Sequence, residues 1–303
     1  MRFPDKARVC FVGDSITHNG GYIKHIVEFY NDNFPLSNVK FYNCGIAGGK
    51  LQKIIPVFDE DVMIYNPTHI VLMIGINDSN RMALTFADET ERRLALLSAY
   101  EEYKKNLNRF YNITKERGIE LILCTPSPYA EYQQIGIEPL KDGYELILGY
   151  ADFVREFAAL QGIPLCDYHE AMKELLKHEV LYKPDRVHPI EKGHAIMAKT
   201  FLSFQGFEYF PKESFRHETE EWDNLSQAVR TIITTEYLAI PNYYELTDSE
   251  RFSAIQKRCE ELRLGIYHHS AKFVEEWILD YITEKPKQNE YIEKLKAFWK
   301  NAD

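Results

Sequence analysis

Cysteine is scarce in this chain and badly spaced for chemistry. The 303 residues hold five, Cys10, Cys44, Cys124, Cys166 and Cys259, an odd number with no CxxC pair, so neither a zinc ribbon nor a redox dithiol is indicated. Four of them sit in or beside apolar runs, as free buried thiols do in a reducing compartment. Basic charge is in deficit: 36 Lys and Arg face 46 Asp and Glu, a formal net charge of -10. That disfavours a nucleic-acid partner and adhesion to an anionic membrane. Long apolar runs are missing too. No stretch nears the roughly 18 to 20 residues of a membrane span. The opening MRFPDKARVCFVGDS has neither an apolar signal region nor a cleavage site. The expected location is therefore the cytoplasm, where the glycosylation sequons beginning at Asn77, Asn112 and Asn224 are chance matches. Three catalytic signatures are absent as well. There is no Gly-x-Ser-x-Gly nucleophile elbow. GDSITHNGG does not supply the Gly-x-Gly-x-x-Gly of a dinucleotide binder, and His169-Glu170 and His178-Glu179 lack the second histidine of a zinc HExxH.

What is present is an ordinary globular composition, 45% hydrophobic and 27% charged, enough for one large domain or a domain and a smaller companion. Short apolar runs closed by turn residues read as buried strands at 8–12, 39–43, 69–74, 119–124 and, more weakly, 163–166. Between them, helical patterns cover 22–30, 51–63 with an interruption at Pro56, 91–117, 140–161 and 190–204. This alternation predicts an α/β sandwich on a mainly parallel sheet. Past Gln205-Gly206 the pattern changes. Residues 207–303 read as a helical extension, with helices at 218–238, 248–264, 269–283 and 288–300, set apart from a first domain of residues 1–206.

In an open α/β sheet the chemistry lies beyond the carboxyl ends of the strands. Four segments fall there: Gly13-Asp14-Ser15, Gly45 within NCGIAGG, Gly75-Ile76-Asn77-Asp78, and Asp185-Arg186-Val187-His188-Pro189. Each alone is a common turn, cap or loop. Together, in this order, they supply the parts for acyl transfer. Ser15 stands at a helix start, where free N–H groups favour developing negative charge. A serine hydroxyl needs a base, and His188 has the right intrinsic range. Asp185, three residues earlier, can reach the far ring nitrogen and fix the tautomer. The Ser15 and Gly45 N–H groups and the Asn77 side-chain amide are the expected oxyanion donors. This chemistry requires no metal and no cofactor.

The chain resembles the SGNH hydrolases, or GDSL-type esterases. The resemblance rests on VGDSIT (12–17), NCGIAGG (43–49), GINDS (75–79) and DRVHP (185–189) and covers about residues 8–206. It implies a flavodoxin-like three-layer α/β/α sandwich with a parallel sheet. It also implies a catalytic triad of Ser15, Asp185 and His188, with Ser15, Gly45 and Asn77 around the oxyanion. The first motif carries Ile16 where the family name has leucine. The stretch DRVHPIEKGHAIMAKTFLSFQGF further resembles the cytoplasmic acetyl xylan esterases, which implies deacetylation of xylo-oligosaccharides. The expected partner is thus a small-molecule or oligosaccharide ester. A lipid or thioester hydrolase on the same triad and a non-catalytic sugar-binding module are the rival readings.

Other polar residues read as structural. Asp14 and Asp78 are expected to bond loop backbone, and His194 to be a packed histidine. His268-His269 point apart on a helix and suit no metal. Tyr129, Tyr132 and Tyr144 would either stack on a sugar or pack a lid. The helical extension is read either as a homo-oligomer contact through Trp222, Tyr237, Trp277 and Ile282, or as a cap over the active site.

Overall fold

The computed structural model describes residues 2–34, 36–37, 39–135, 138–210 and 266–268. The chain divides into two units, Met1–Pro211 and Lys212–Asp303. Of the second, the described part is a three-residue strand, β6 (Ile266–His268). The helices expected between 218 and 300, with Cys259 and the aromatic face assigned to them, lie outside the described residues.

The first unit is built on five strands: β1 (Arg8–Gly13), β2 (Lys40–Gly45), β3 (His69–Met73), β4 (Glu120–Cys124) and β5 (Leu165–Cys166). They pair in parallel in the order β5-β4-β3-β1-β2. This is the flavodoxin-like order expected of a doubly wound sheet. The central strands are apolar on both faces because helices cover both faces. Val9, Cys10, Phe11 and Val12 of β1 and Ile70, Val71 and Leu72 of β3 are all buried.

One helical layer holds α1 (Ser15–Asn19), α2 (Gly21–Asn33), α7 (Tyr168–Lys173) and α8 (Glu191–Phe204). Its core is aromatic: Phe3, Tyr30, Phe41 and Phe201 meet at centroid distances of 5.1 to 6.2 Å. The other layer holds α3 (Leu51–Ile54), α4 (Phe58–Asp61), α5 (Glu89–Glu116) and α6 (Gly143–Gln161). Phe58 packs on Phe110 at 5.4 Å, and Tyr103 on Tyr150 at 4.8 Å. Among the described residues, no helix is long and apolar enough to cross a membrane.

Several expected elements are redrawn. The helix read over 51–63 is two single turns, α3 and α4, separated by a 3-10 turn containing Pro56 and followed by another at Met63–Tyr65. Proline supplies no N–H to continue a helix. The helix read from Leu140 starts at Gly143, after Asp142 in the left-handed region at φ 66°. The six-residue α7, capped by Asp167, was not expected, because so short an element shows no periodicity.

Candidate active site

β1 ends at Gly13 and hands the chain directly to α1. Gly13 is pressed so closely against its neighbours that a Cβ would lie 2.3 Å from Thr17 Oγ1 and 2.5 Å from the Met73 carbonyl. Asp14 follows in extended conformation and caps α1, its Oδ1 accepting the Ile16 N–H at 2.9 Å. Burial, offset in part by that N–H, pushes the Asp14 carboxyl up to about 7. Ser15 then opens the helix, where backbone N–H groups have no intrahelical acceptor.

The other arm comes from the loop before α8. Ser15 Oγ lies 2.8 Å from His188 Nε2, and His188 Nδ1 donates to Asp185 Oδ2 at 2.8 Å. Asp185 Oδ1 accepts the N–H groups of Val187 and His188, each at 2.9 Å. Although burial works the other way, these donors and the His188 ring hold the Asp185 carboxyl below its usual range. With Nδ1 donating to a carboxylate, Nε2 is the ring nitrogen left to accept a proton from the serine hydroxyl. The structure thus brings Ser15, His188 and Asp185 into one hydrogen-bonded chain.

Arg186, between Asp185 and His188, is a residue the sequence reading passed over. It has a φ of 65° and is buried. Its guanidinium donates to the carbonyls of Ala130, Gln133 and Ile135 at 2.9, 2.8 and 2.7 Å. Its own carbonyl accepts the Ala130 N–H at 3.0 Å. Arg186 therefore ties the Asp185–His188 loop to the segment after β4. Val187 adds a second tie, sharing one buried apolar cluster with Ile76, Tyr129 and Ile147, so the loops holding His188 and Asn77 contribute to the same core. The sequence signal, an arginine inside Asp-x-x-His, carries no hint of this role.

Of the expected oxyanion donors, Asn77 stands at the C-terminal end of β3 in the loop after Gly75. Its Nδ2 donates to the Gly49 carbonyl at 3.1 Å and its Oδ1 accepts from Arg81 Nη1 at 3.3 Å. An amide nitrogen has a second hydrogen for another acceptor. Gly45 is the exception. Its N–H is committed to Asn43 Oδ1 at 3.0 Å, and a Cβ there would lie 2.2 Å from His18 N. The glycine at 45 serves close packing of α1 on β2. In the same NCGIAGG segment, Gly48 lies in an exposed turn at φ 66°. Among the described residues no hydrogen bond engages its N–H, so Gly48 fits the donor role better than Gly45.

Asp14, Asp78 and His194, read as structural, are buried, and the tyrosines left between sugar stacking and lid packing range from buried to exposed. Asp78 Oδ1 accepts the Leu51 N–H at 2.9 Å and so anchors α3. Burial, working against that bond, pushes its carboxyl up to about 6. His194 packs against Gly21, and burial pushes its pKa down to about 4. Tyr129 is buried, its hydroxyl accepting the Leu140 N–H at 3.0 Å. Tyr132 is exposed and leans on Tyr144 at 5.3 Å. Among the described residues no group of three or more His, Cys, Asp and Glu is placed to hold a metal ion.

Comparison with known proteins places this site in a family. The profile described as GDSL-like lipase/acylhydrolase matches residues 9–201. The acetylxylan esterase of Geobacillus stearothermophilus is 29% identical over 229 residues, 69% of this chain and 98% of that one. Its crystal structure superposes with a TM-score of 0.57 at 28% identity, covering 70% of this chain and 100% of that one. Solved forms of that esterase include catalytic mutants in which a serine, an aspartate and a histidine are each replaced by alanine. A gut microbial diltiazem-metabolizing enzyme superposes with a TM-score of 0.60 at 29% identity over 68% of this chain. The match spans 48% of that enzyme's length. The chain belongs to the GDSL-like lipase/acylhydrolase family and is a serine hydrolase acting on ester bonds.

Proposed function

We propose that this enzyme is a carbohydrate O-deacetylase that removes acetyl groups from acetylated xylo-oligosaccharides through a Ser15 acetyl-enzyme. The observation that carries the mechanism is the chain from Ser15 Oγ through His188 to Asp185, with both links at 2.8 Å. The relatives named acetylxylan esterase support the substrate class.

Ser15 Oγ attacks the acetyl carbonyl carbon while its proton passes to His188 Nε2. Asp185 stabilises the imidazolium that forms and keeps the ring oriented. The carbonyl oxygen becomes an oxyanion, facing the Ser15 and Gly48 N–H groups and Asn77 Nδ2. As this intermediate collapses, the bond to the sugar oxygen breaks and that oxygen takes the proton from His188. Water then repeats the sequence on the acetyl-enzyme, releasing acetate and restoring Ser15. Each half-reaction returns the proton it borrowed, so no other reactant is required.

Acetate release from acetylated xylo-oligosaccharides, by wild type and Ser15→Ala side by side, tests the reading. Ser15→Ala should lower the rate by about 10⁵ to 10⁶. If wild type cleaves p-nitrophenyl acetate through Ser15 but leaves the oligosaccharide untouched, xylan is discarded. A strong preference for p-nitrophenyl octanoate over the acetate would move the substrate to long acyl chains, which need an apolar groove.

A further inference from the structure

Asn77 serves an oxyanion in one orientation only. Its side-chain amide carries an oxygen and a nitrogen of nearly the same shape, and a half-turn would present Oδ1, an acceptor, to the developing negative charge. The neighbours of this amide select against that turn. Nδ2 faces the Gly49 carbonyl at 3.1 Å, and Oδ1 faces Arg81 Nη1 at 3.3 Å. A flipped amide would set oxygen against oxygen at Gly49 and N–H against N–H at Arg81, a group with no acceptor capacity.

Arg81 is held where this contact needs it. The same Nη1 donates to the Ile76 carbonyl at 3.1 Å. The chain reverses just before it, with Asn80 at φ 51°, and a 3-10 turn then runs over Arg81–Thr85. The arginine therefore reaches back onto the loop that carries Asn77. Burial lowers the pKa of its guanidinium, with the charges of Tyr129, Asp14 and Asp185 acting the other way. Both bonds come from the one nitrogen, and a lysine ammonium has donors for both acceptors but a shorter reach, so it would reproduce this arrangement only in part.

We propose that Arg81 is a positioning residue for ester hydrolysis, locking the Asn77 amide with Nδ2 turned toward the oxyanion. This rests on the reading of Asn77 as an oxyanion donor. It assigns Arg81 an effect in the transition state and none on ground-state binding.

The test is p-nitrophenyl acetate kinetics on the full chain with wild type, Asn77→Ala, Arg81→Met and the double variant. Arg81→Met should lower kcat by about 10- to 100-fold with KM changed by less than about twofold. In the Asn77→Ala background the same replacement should cost less than about threefold, because there is no amide left to orient. Arg81→Lys should fall between wild type and Arg81→Met, and it serves in place of Arg81→Met if a thermal melt shows that variant unfolded. Equal losses in both backgrounds would overturn the proposal. If those losses came with a shifted pH profile of kcat/KM, the arginine's charge would act on Asp185 and His188 instead. A loss confined to KM would make Arg81 a substrate contact and overturn it too. If Asn77→Ala, with Arg81 intact, leaves kcat unchanged, the oxyanion reading has failed first and this proposal falls with it.

Discussion

Ser15 and His188 meet at 2.8 Å but are held there by unlike means. The serine arm is part of the sheet. Gly13 is in register with Gly45 on one side and Met73 on the other, and Asp14 beside the nucleophile is 2% exposed. Strand pairing fixes this arm, and little short of unfolding can move it. The histidine arm hangs on a loop. The Asp185 side chain is 46% exposed, the backbone at Arg186 is left-handed, and beyond a short backbone pairing with residues 181–183 the loop is tied down by the Arg186 guanidinium and the apolar cluster at Val187. Ser15, the proposed nucleophile, is therefore placed by register, and His188, its proposed base, by a loop whose side-chain ties substitution can remove.

That contrast can be sharpened by experiment. The largest effect should come from Asp185→Asn. The asparagine can keep its oxygen toward the Val187 and His188 N–H groups but turns its other end into a donor facing Nδ1. The expected loss in kcat is about 10⁴ with little change in stability, read by steady-state kinetics beside a melt. Next comes Arg186→Met. It strips the charged donor from the four carbonyls of Ala130, Glu131, Gln133 and Ile135 and slackens the loop, so kcat should fall about 10²-fold and stability by about 3 kcal/mol, seen by denaturant titration. A full loss of stability with kcat unchanged in the folded fraction would break the comparison, because the loop would then not depend on the arginine for its catalytic shape. On the serine arm, Gly45→Ala drives a methyl into α1 backbone. It should cost about 2 to 3 kcal/mol and lower activity in step with it, since register and nucleophile cannot be separated there.

The smallest effect concerns pH. Burial, with a contribution from the Arg155 charge, lowers the His169 pKa from 6.5 to about 4. Neither of its ring nitrogens has a hydrogen-bond partner among the described residues. A histidine with a lowered folded pKa binds its proton more readily when unfolded. Stability is therefore lost as pH falls from 6.5 toward 4, by about 2 kcal/mol between pH 7 and pH 5. His169→Phe should recover about that amount at pH 5 relative to pH 7. Urea midpoints at the two pH values measure it, and an unchanged difference would show that His169 does not govern the acid side.

Much of this architecture was legible in the residues. HIVLMI and IELILC read as buried strands because strands covered on both faces must be apolar throughout. Glycine at 13, 45 and 75 marked their carboxyl ends. Ser15, Asn77, Asp185 and His188 were singled out because chemistry in such a sheet collects at those ends, and the structure brings Ser15, His188 and Asp185 into one hydrogen-bonded chain. Gly45 misled because NCGIAGG offers several glycines, and spacing cannot tell which N–H is already taken by a neighbour such as Asn43. Arg81 and Arg186 were invisible for a related reason. Their contacts are with carbonyls and amides brought close by loops, and a carbonyl has no signature in a sequence.

The sheet also carries its own unfolding reporter. Cys10, Cys44, Cys124 and Cys166 are free and buried, one on each of β1, β2, β4 and β5. None has a route to a water-soluble thiol reagent while the strands stay paired. Labelling rates read by mass spectrometry at each cysteine would therefore time the opening of individual strands. The order in which the masses appear would show whether the edge at β5 gives way before the centre that holds the nucleophile.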